Sequence, residues 1–152
     1  VFWLLMGQHE AFIRAQSEEE RLSQQSWAWI QEWMRETVKL RNEEAVDAIL
    51  TFMAIHALGK VKDFQEELAP EFDATRHDLA LAHILRTKPE VVPSFMRLQQ
   101  KYKSLIIDSL SVDFQFSQFL QAENVPANLV VVKEKLAPHG DEGFAFFCFR
   151  IF

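Results

Sequence analysis

The side chains best suited to chemistry in this sequence are histidines on two apolar segments. His56 stands near the end of segment 53–60, three residues before a Gly-Lys pair, and His77 and His83 follow in segment 75–83. Imidazole titrates near neutral pH and is a common metal ligand, so these residues are candidates for acid–base chemistry or ion binding. His77 falls on an apolar helical stripe and is predicted to point toward His56. His83, six positions later, is turned by about 240° around the helix.

Other catalytic signatures are absent from the sequence. It contains no Gly-x-Ser-x-Gly motif, no glycine-rich phosphate loop and no His-Glu-x-x-His motif, so hydrolysis by an activated serine has no support. The single cysteine, Cys148, lies among phenylalanines, where a thiol is typically an inert, small apolar group. The chemistry of this chain therefore depends on its histidines.

Segment 53–60 resembles the HD-domain superfamily of α-helical, metal-dependent phosphohydrolases. In that family a His-Asp pair ends a buried helix and is often followed by a hydrophobic residue and Gly-Lys. The residues that match this pattern here are His56, Leu58, Gly59 and Lys60. Ala57 stands where the family has its Asp, and segment 17–40 lacks the family's first-helix His. The resemblance covers residues 42–110.

The resemblance implies a set of site residues. Its metal ligands are His56, His77 and Asp108, with Asp113 as the next candidate for the last ligand. Lys60, near the phosphate, and Asp78 are the implied catalytic residues. A bound divalent metal (Mn, Fe, Zn or Mg) lowers the pKa of its water toward 7 and so generates the nucleophile.

Three functions remain open at this point. The methyl group of Ala57 cannot bind an ion or orient its water, so the first expectation is a degenerate HD-like domain without a cofactor. Such a domain has a binding or structural role in a larger protein or assembly. The second is a metal-dependent phosphohydrolase acting on a nucleotide or other phosphate ester. The third is a helical interaction module unrelated to hydrolases, with its Trp-rich helix and 14 phenylalanines as partner surface.

Each candidate residue also has a structural interpretation. His56 and Lys60, near a helix end, are placed to interact with the free carbonyls and the negative end of the helix dipole. Asp73 and Asp78 suit an N-cap and a first turn. His77 and His83 are then ordinary helical residues, one partly buried and one exposed.

Capping residues and prolines predict the helices that position these side chains. Ser17 is expected to cap a helix through about Leu40, and Asn42 a buried central helix that ends at Gly59 in a left-handed conformation. Further segments are predicted at Lys60–Leu68, at 74–86 after Asp73, from Pro93 to Leu110, at 113–120, from Pro126 to Leu136, and from Asp141 onward.

Apolar periodicity predicts which faces are buried. In the central helix the nearly inaccessible residues are expected to be Ile49, Leu50, Met53 and Ala54. In the helix after Pro93 they are Phe95, Leu98, Tyr102, Leu105, Ile106 and Leu110. Trp27, Trp29 and Trp33 are expected to be core residues. The run 130–132 is the one place where β propensity competes with helix, and helix is favoured.

Length and composition set the fold class. The chain has 152 residues, 49% of them hydrophobic, with only four glycines and five prolines, too few turn residues for an all-β fold. We predict one all-α domain over 1–152, a compact array of about six to eight helices. The net charge of −6, without a basic block, argues against nucleic acid as the partner, and no run of 18 apolar residues exists to span a membrane.

The two ends of the sequence are apolar, which natural termini seldom are. We therefore expect a fragment of a longer protein, whose partner is another protein chain or missing segments of the same protein. Phe144, Phe146 and Phe149 cannot share one side of a helix, so some phenylalanines are expected to face away from the core and to promote self-association. A single cysteine favours an intracellular, reducing compartment.

Overall fold

The computed structural model describes residues 6–38 and 42–151. It is 76% helical, and the described ranges contain no β-strand, which confirms the predicted all-α class. The α-helices are α1 (His9–Ile13), α2 (Gln24–Trp33), α3 (Glu43–Ile55), α4 (Lys62–Leu68), α5 (His77–Thr87), α6 (Pro93–Met96), α7 (Gln100–Leu110), α8 (Phe116–Leu120), α9 (Val125–Leu136) and α10 (Gly140–Ile151). Short 3₁₀ turns join several of them.

The first long helix begins later than predicted. Ser23, not Ser17, caps α2, because the Ser23 hydroxyl accepts a hydrogen bond from the Ser26 backbone N–H at 3.1 Å. The Ser17 hydroxyl instead donates to Glu20, and residues 18–20 form a separate 3₁₀ turn. The helix continues as a π-helical turn over Met34–Val38, and the predicted segment beyond it lies outside the described residues.

The three tryptophans of this helix differ in environment. Trp27 is buried, as predicted, and its ring lies 5.3 Å from that of His9. Trp33 is half-buried, and Trp29 is 67% exposed, so the expectation of a core residue is wrong for Trp29. Positions 27 and 29 are about 200° apart around a helix and face opposite sides.

The buried face of α3 is rotated from the predicted one. Asn42 caps this helix as predicted, accepting from the Glu44 backbone N–H at 3.0 Å. Its buried residues are Ala45, Ala48, Ile49, Phe52 and Ile55. Only Ile49 of the predicted set is fully buried, since Leu50 and Met53 are half-buried and Ala54 is exposed. The face turns because Phe52 stacks on Phe146 of α10, with ring centroids 5.8 Å apart.

Helix α7, rather than α3, is the helix around which the array packs. It contacts α3, α5, α9 and α10. All six residues predicted to be buried in the segment from Pro93 to Leu110 are buried, and Phe95, the first of them, belongs to α6. Residues 97–99 separate α6 from α7, where the sequence predicts one helix. The run 130–132 is helical within α9, which begins next to Pro126 as predicted.

Gly59 has a different role from the predicted one. Helix α3 ends at Ile55, and Gly59 lies in a 3₁₀ turn without a positive φ. A Cβ on Gly59 would lie 2.1 Å from the His77 carbonyl oxygen. The glycine is therefore required for the close approach of this turn to the start of α5, and not for a left-handed exit.

The C-terminal helix places its phenylalanines on several sides. Phe146 and Phe149 are buried, Phe147 packs edge-on against Phe114, and Phe144 is 44% exposed. The expectation that some phenylalanines face outward is confirmed at Phe144, while Phe152 lies outside the described residues. The helix begins at Gly140, with φ of 60°, so Asp141 belongs to its first turn and is not its N-cap.

Candidate functional site

His56 follows the last residue of α3 and is exposed. Its ring Nδ1 lies 2.6 Å from the Met53 carbonyl oxygen, which can only accept, so the proton of the neutral ring is assigned to Nδ1. Nε2 keeps its lone pair, which is the form of histidine that binds metal. Lys60, in the following 3₁₀ turn, is exposed, as is Ala57.

His77 and Asp78 form the first turn of α5. His77 Nε2 lies 3.3 Å from Asp78 Oδ1, and both side chains are about three-tenths exposed. His83 pairs with Glu71 at 3.1 Å and packs against the Phe72 ring, in line with the predicted divergence of the two histidines. Asp73 caps the preceding 3₁₀ turn, as predicted, and the hydrogen bonds from the Thr75 hydroxyl and backbone N–H lower the pKa of its carboxyl.

Asp108 is paired with a histidine that sequence reasoning treated only as part of a turn. The Oδ2 of Asp108, on α7, lies 2.9 Å from His139 Nε2, and His139 is largely buried between α9 and α10. The signal available in the sequence was the turn Pro138-His139-Gly140 alone, which gives no indication of a contact 31 residues away. The pair connects the turn between α9 and α10 to α7.

The predicted ligands are not brought together. Residues 6–38 and 42–151 contain no group of three or more His, Cys, Asp or Glu side chains positioned to hold a metal ion. His56, His77 and Asp108 each contact a different group instead. Their arrangement does not fit a shared metal centre, and metal binding by these residues stays a prediction.

Asp78 and Asp113 do share a small polar pocket. It encloses about 160 Å³, and its lining residues are Thr75, Arg76, Asp78, Leu79, Leu110, Val112 and Asp113. Pockets that bury a drug-sized ligand have volumes of about 300–1,000 Å³, so this one fits only a much smaller molecule. Two carboxylates and one guanidinium line it, a mixture that is unsuited to a phosphate ester.

A partly buried polar network joins three helices. The Tyr102 hydroxyl, on α7, donates to Glu142 of α10 at 2.9 Å and accepts from the Asn42 side chain at 3.1 Å. Lys101 also contacts Glu142, at 3.2 Å. Burial raises the pKa of the Tyr102 hydroxyl, so this group remains a neutral donor. The network gives Tyr102 and Asn42 structural roles.

An apolar depression lies between α9 and α10 and was not predicted. Its volume is about 330 Å³, and its lining residues are Leu129, Val132, Lys133, Leu136, Ala137, Gly140 and Phe144. A Cβ on Gly143 would lie 2.2 Å from the Leu136 carbonyl oxygen, which shows how closely the two helices approach behind the groove. Leu129 and Phe144 are each almost half exposed at its edges. We call this surface the α9–α10 groove.

Cys148 lies on the buried side of α10. Burial raises the pKa of its thiol to about 11, so very little thiolate is present at neutral pH. This agrees with the structural role predicted from its phenylalanine neighbours.

These features define a compact, all-α array of helices with an apolar surface groove. The chain belongs to DUF6829, a family of unknown function whose model matches residues 1–146. No curated protein and no solved structure matches the chain. Within the described ranges, no helix is long and apolar enough to cross a membrane.

Proposed function

We propose that this chain is a helical binding domain of HD-like ancestry, in which the histidine-bearing helices serve packing. The observation that carries this proposal is that the three candidate ligands engage three separate partners. His56 bonds to the carbonyl of Met53, His77 pairs with Asp78, and Asp108 pairs with His139. A metal centre requires ligands that converge on one point, whereas each of these side chains is engaged by a partner of its own.

The HD-like motif itself has a packing role in this proposal. Gly59 lets its turn touch the backbone of His77, so the motif joins the end of α3 to the beginning of α5. Leu81, one turn further along α5, is fully buried against the same glycine. A His-x-Leu-Gly-Lys sequence that is retained for this contact needs neither the family's Asp nor an ion.

The binding role is supported by the α9–α10 groove. Exposed apolar side chains that border a concave surface are typical of interaction sites. Around α10, Phe144 at the groove lies about 200° from the buried Phe146, so a bound partner would meet a different side of this helix from the one that Phe146 packs into the core. The partner expected from this chemistry is another protein surface.

Isothermal titration calorimetry with Mn²⁺ and Zn²⁺, together with hydrolysis of p-nitrophenyl phosphate, tests the proposal. We expect neither stoichiometric binding nor turnover. Binding of one equivalent that is lost in both His77→Ala and Asp108→Ala would overturn it and favour the metal-dependent phosphohydrolase.

A matched pair of variants tests the HD-like ancestry. Ala57 and Ala54 are both exposed and lie three residues apart. Ala57→Asp restores the family's carboxylate beside His56, while Ala54→Asp adds the same charge elsewhere. Metal binding that appears only with Ala57→Asp supports the ancestry. Equal behaviour of the two variants counts against it.

A further inference from the structure

The small pocket between the start of α5 and the end of α7 combines an apolar wall with charges of both signs. Leu110 and Val112 line it and are each 2% exposed, while Arg76 and Asp113 line it and are exposed. Its volume of about 160 Å³ is about five times the share of one water molecule in the liquid, so a molecule of about five to eight non-hydrogen atoms matches it in size. We call this cavity the α5–α7 pocket.

The two exposed charges of the α5–α7 pocket are engaged by separate, neutral groups of the chain. The Arg76 guanidinium lies over the Phe72 ring, 5.9 Å from its centre. The Asp113 carboxylate accepts a hydrogen bond from the Gln115 side-chain amide at 2.7 Å. A ring face and an amide compensate only part of a formal charge. A cation and an anion that line one pocket with such partners are complementary to a ligand that carries both charges.

The neighbouring carboxylates decide which class of ligand fits. Asp78 also lines the pocket, where it pairs with His77 at 3.3 Å. Asp73 is attracted by Arg76, but its carboxylate already accepts hydrogen bonds from Thr75. A purely anionic ligand would therefore meet more negative than positive charge in the pocket. A ligand that has a cationic nitrogen as well as a carboxylate meets an opposite charge at both ends.

We propose that the α5–α7 pocket binds a small α-amino acid with an apolar side chain. The ligand's carboxylate pairs with Arg76, because the parallel N–H groups of a guanidinium match the two oxygens of a carboxylate. Its ammonium group pairs with Asp113, and its side chain contacts Leu110 and Val112. This site is separate from the α9–α10 groove and goes beyond the binding role proposed there.

Isothermal titration calorimetry of the complete chain with L-valine, which falls in the expected size range, tests the site. Isovalerate lacks the ammonium group of L-valine, and isobutylamine lacks its carboxylate. We expect one L-valine to bind per chain. The Kd of each analogue should be at least about tenfold higher, because each loses one charged contact.

Charge-neutralising variants test the orientation of the ligand. Arg76→Gln should raise the Kd of L-valine at least about tenfold and leave that of isobutylamine unchanged. Asp113→Asn should weaken L-valine similarly and leave isovalerate unchanged. Arg97→Gln and Asp63→Asn are the matched controls, because these residues are also exposed and do not line the pocket. The controls should keep the wild-type Kd, and circular dichroism checks that every variant is folded.

The inference is overturned if L-valine gives no saturable binding at millimolar concentrations, if either analogue binds as tightly as L-valine, or if the controls weaken binding as much as the pocket variants. The comparison of the three ligands needs only the wild-type chain, so it decides the question even where a variant does not fold. Titration with metal and hydrolysis of a phosphate ester do not measure amino-acid binding, so failure of this site and failure of the proposed function are distinguished.

Discussion

Two helix junctions in this molecule use the same packing device and have opposite surroundings. At the first, between the end of α3 and the start of α5, the missing Cβ of Gly59 leaves room for the His77 carbonyl oxygen. At the second, between α9 and α10, the missing Cβ of Gly143 leaves room for the Leu136 carbonyl oxygen. The first junction continues into fully buried side chains such as Leu81, whereas the second is bordered by half-exposed Leu129 and Phe144. Close backbone packing thus fixes where helices meet, but only the side chains beyond the glycine decide whether the junction becomes core or surface.

Phe52 connects the helices of the two junctions, and its substitution should give the largest loss of stability. Phe52 of α3 is fully buried and stacks on Phe146 of α10. Phe52→Ala should lower the free energy of unfolding by about 3–5 kcal/mol, because it leaves a cavity between them. Leu50→Ala, at a half-buried position on the predicted face, should cost clearly less in the same urea titration. Equal losses would mean that α3 is oriented as its sequence periodicity predicts, and not as described.

Substitution of either junction glycine by alanine should lower stability by a similar amount, although the two junctions have different surroundings. In Gly59→Ala and Gly143→Ala the new methyl group would lie 2.1 and 2.2 Å from a backbone oxygen, so the helices must move apart. Each substitution should cost about 1–3 kcal/mol or more in urea denaturation.

Gly140→Ala is the control for these two glycines. Its φ of 60° and ψ of −140° form a backbone conformation that alanine rarely adopts, but the space around it is open, so about 1–3 kcal/mol is expected from the backbone alone. If Gly143→Ala costs clearly less than Gly59→Ala in the same urea titration, the second junction is looser than the first and the comparison fails.

What the sequence predicts well is local, and what it misses depends on contacts between distant segments. Asn42 and Asp73 cap helices because a short polar side chain satisfies a backbone N–H two residues on, an interaction contained within one turn. The buried side of α7 follows from its periodicity, since this helix is surrounded on several sides. The face of α3 was predicted less well, because Phe146, almost a hundred residues away, decides which way it turns.

The candidate site illustrates the same limit. Sequence identified His56, His77 and Asp108 as chemically capable. The first two contact local neighbours, Met53 and Asp78, and only the contact of Asp108 with His139, 31 residues away, is set by the tertiary fold. The role of Gly59 was predicted from its conformational freedom, whereas its lack of a side chain is what the fold uses. The α9–α10 groove arises from the approach of two helices, and no single-helix pattern contains that information.

The polar contacts of Tyr102, which connect α3 and α10, should contribute less to the free energy of unfolding than the packing of Phe52 does. Tyr102→Phe removes the hydroxyl that joins Asn42 of α3 to Glu142 of α10 and keeps the buried ring. A loss of about 1–2 kcal/mol is expected in urea denaturation, because Glu142 retains its contact with Lys101 and its access to water. The control is Tyr102→Leu, which also removes the ring and should cost more. A Tyr102→Phe protein as stable as the wild type would show that packing alone connects the regions.

The smallest expected effect is a pH dependence at the start of α5, next to the first junction. Hydrogen bonds from Thr75 lower the pKa of Asp73 below its ordinary value of 3.8, so the folded state favours the carboxylate. The stabilisation is therefore fully present above the unfolded pKa and is lost as the pH falls through the lower, folded pKa.

Asp73→Asn tests this pH dependence, because asparagine retains a capping oxygen and cannot titrate. Comparing the two proteins removes the pH dependence that comes from all other carboxylates. The advantage of the wild type over Asp73→Asn, measured by thermal unfolding at successive pH values, should be constant near neutrality and shrink below about pH 4. An advantage that stays constant down to pH 2.5 would show that the Asp73 carboxylate does not stabilise this junction.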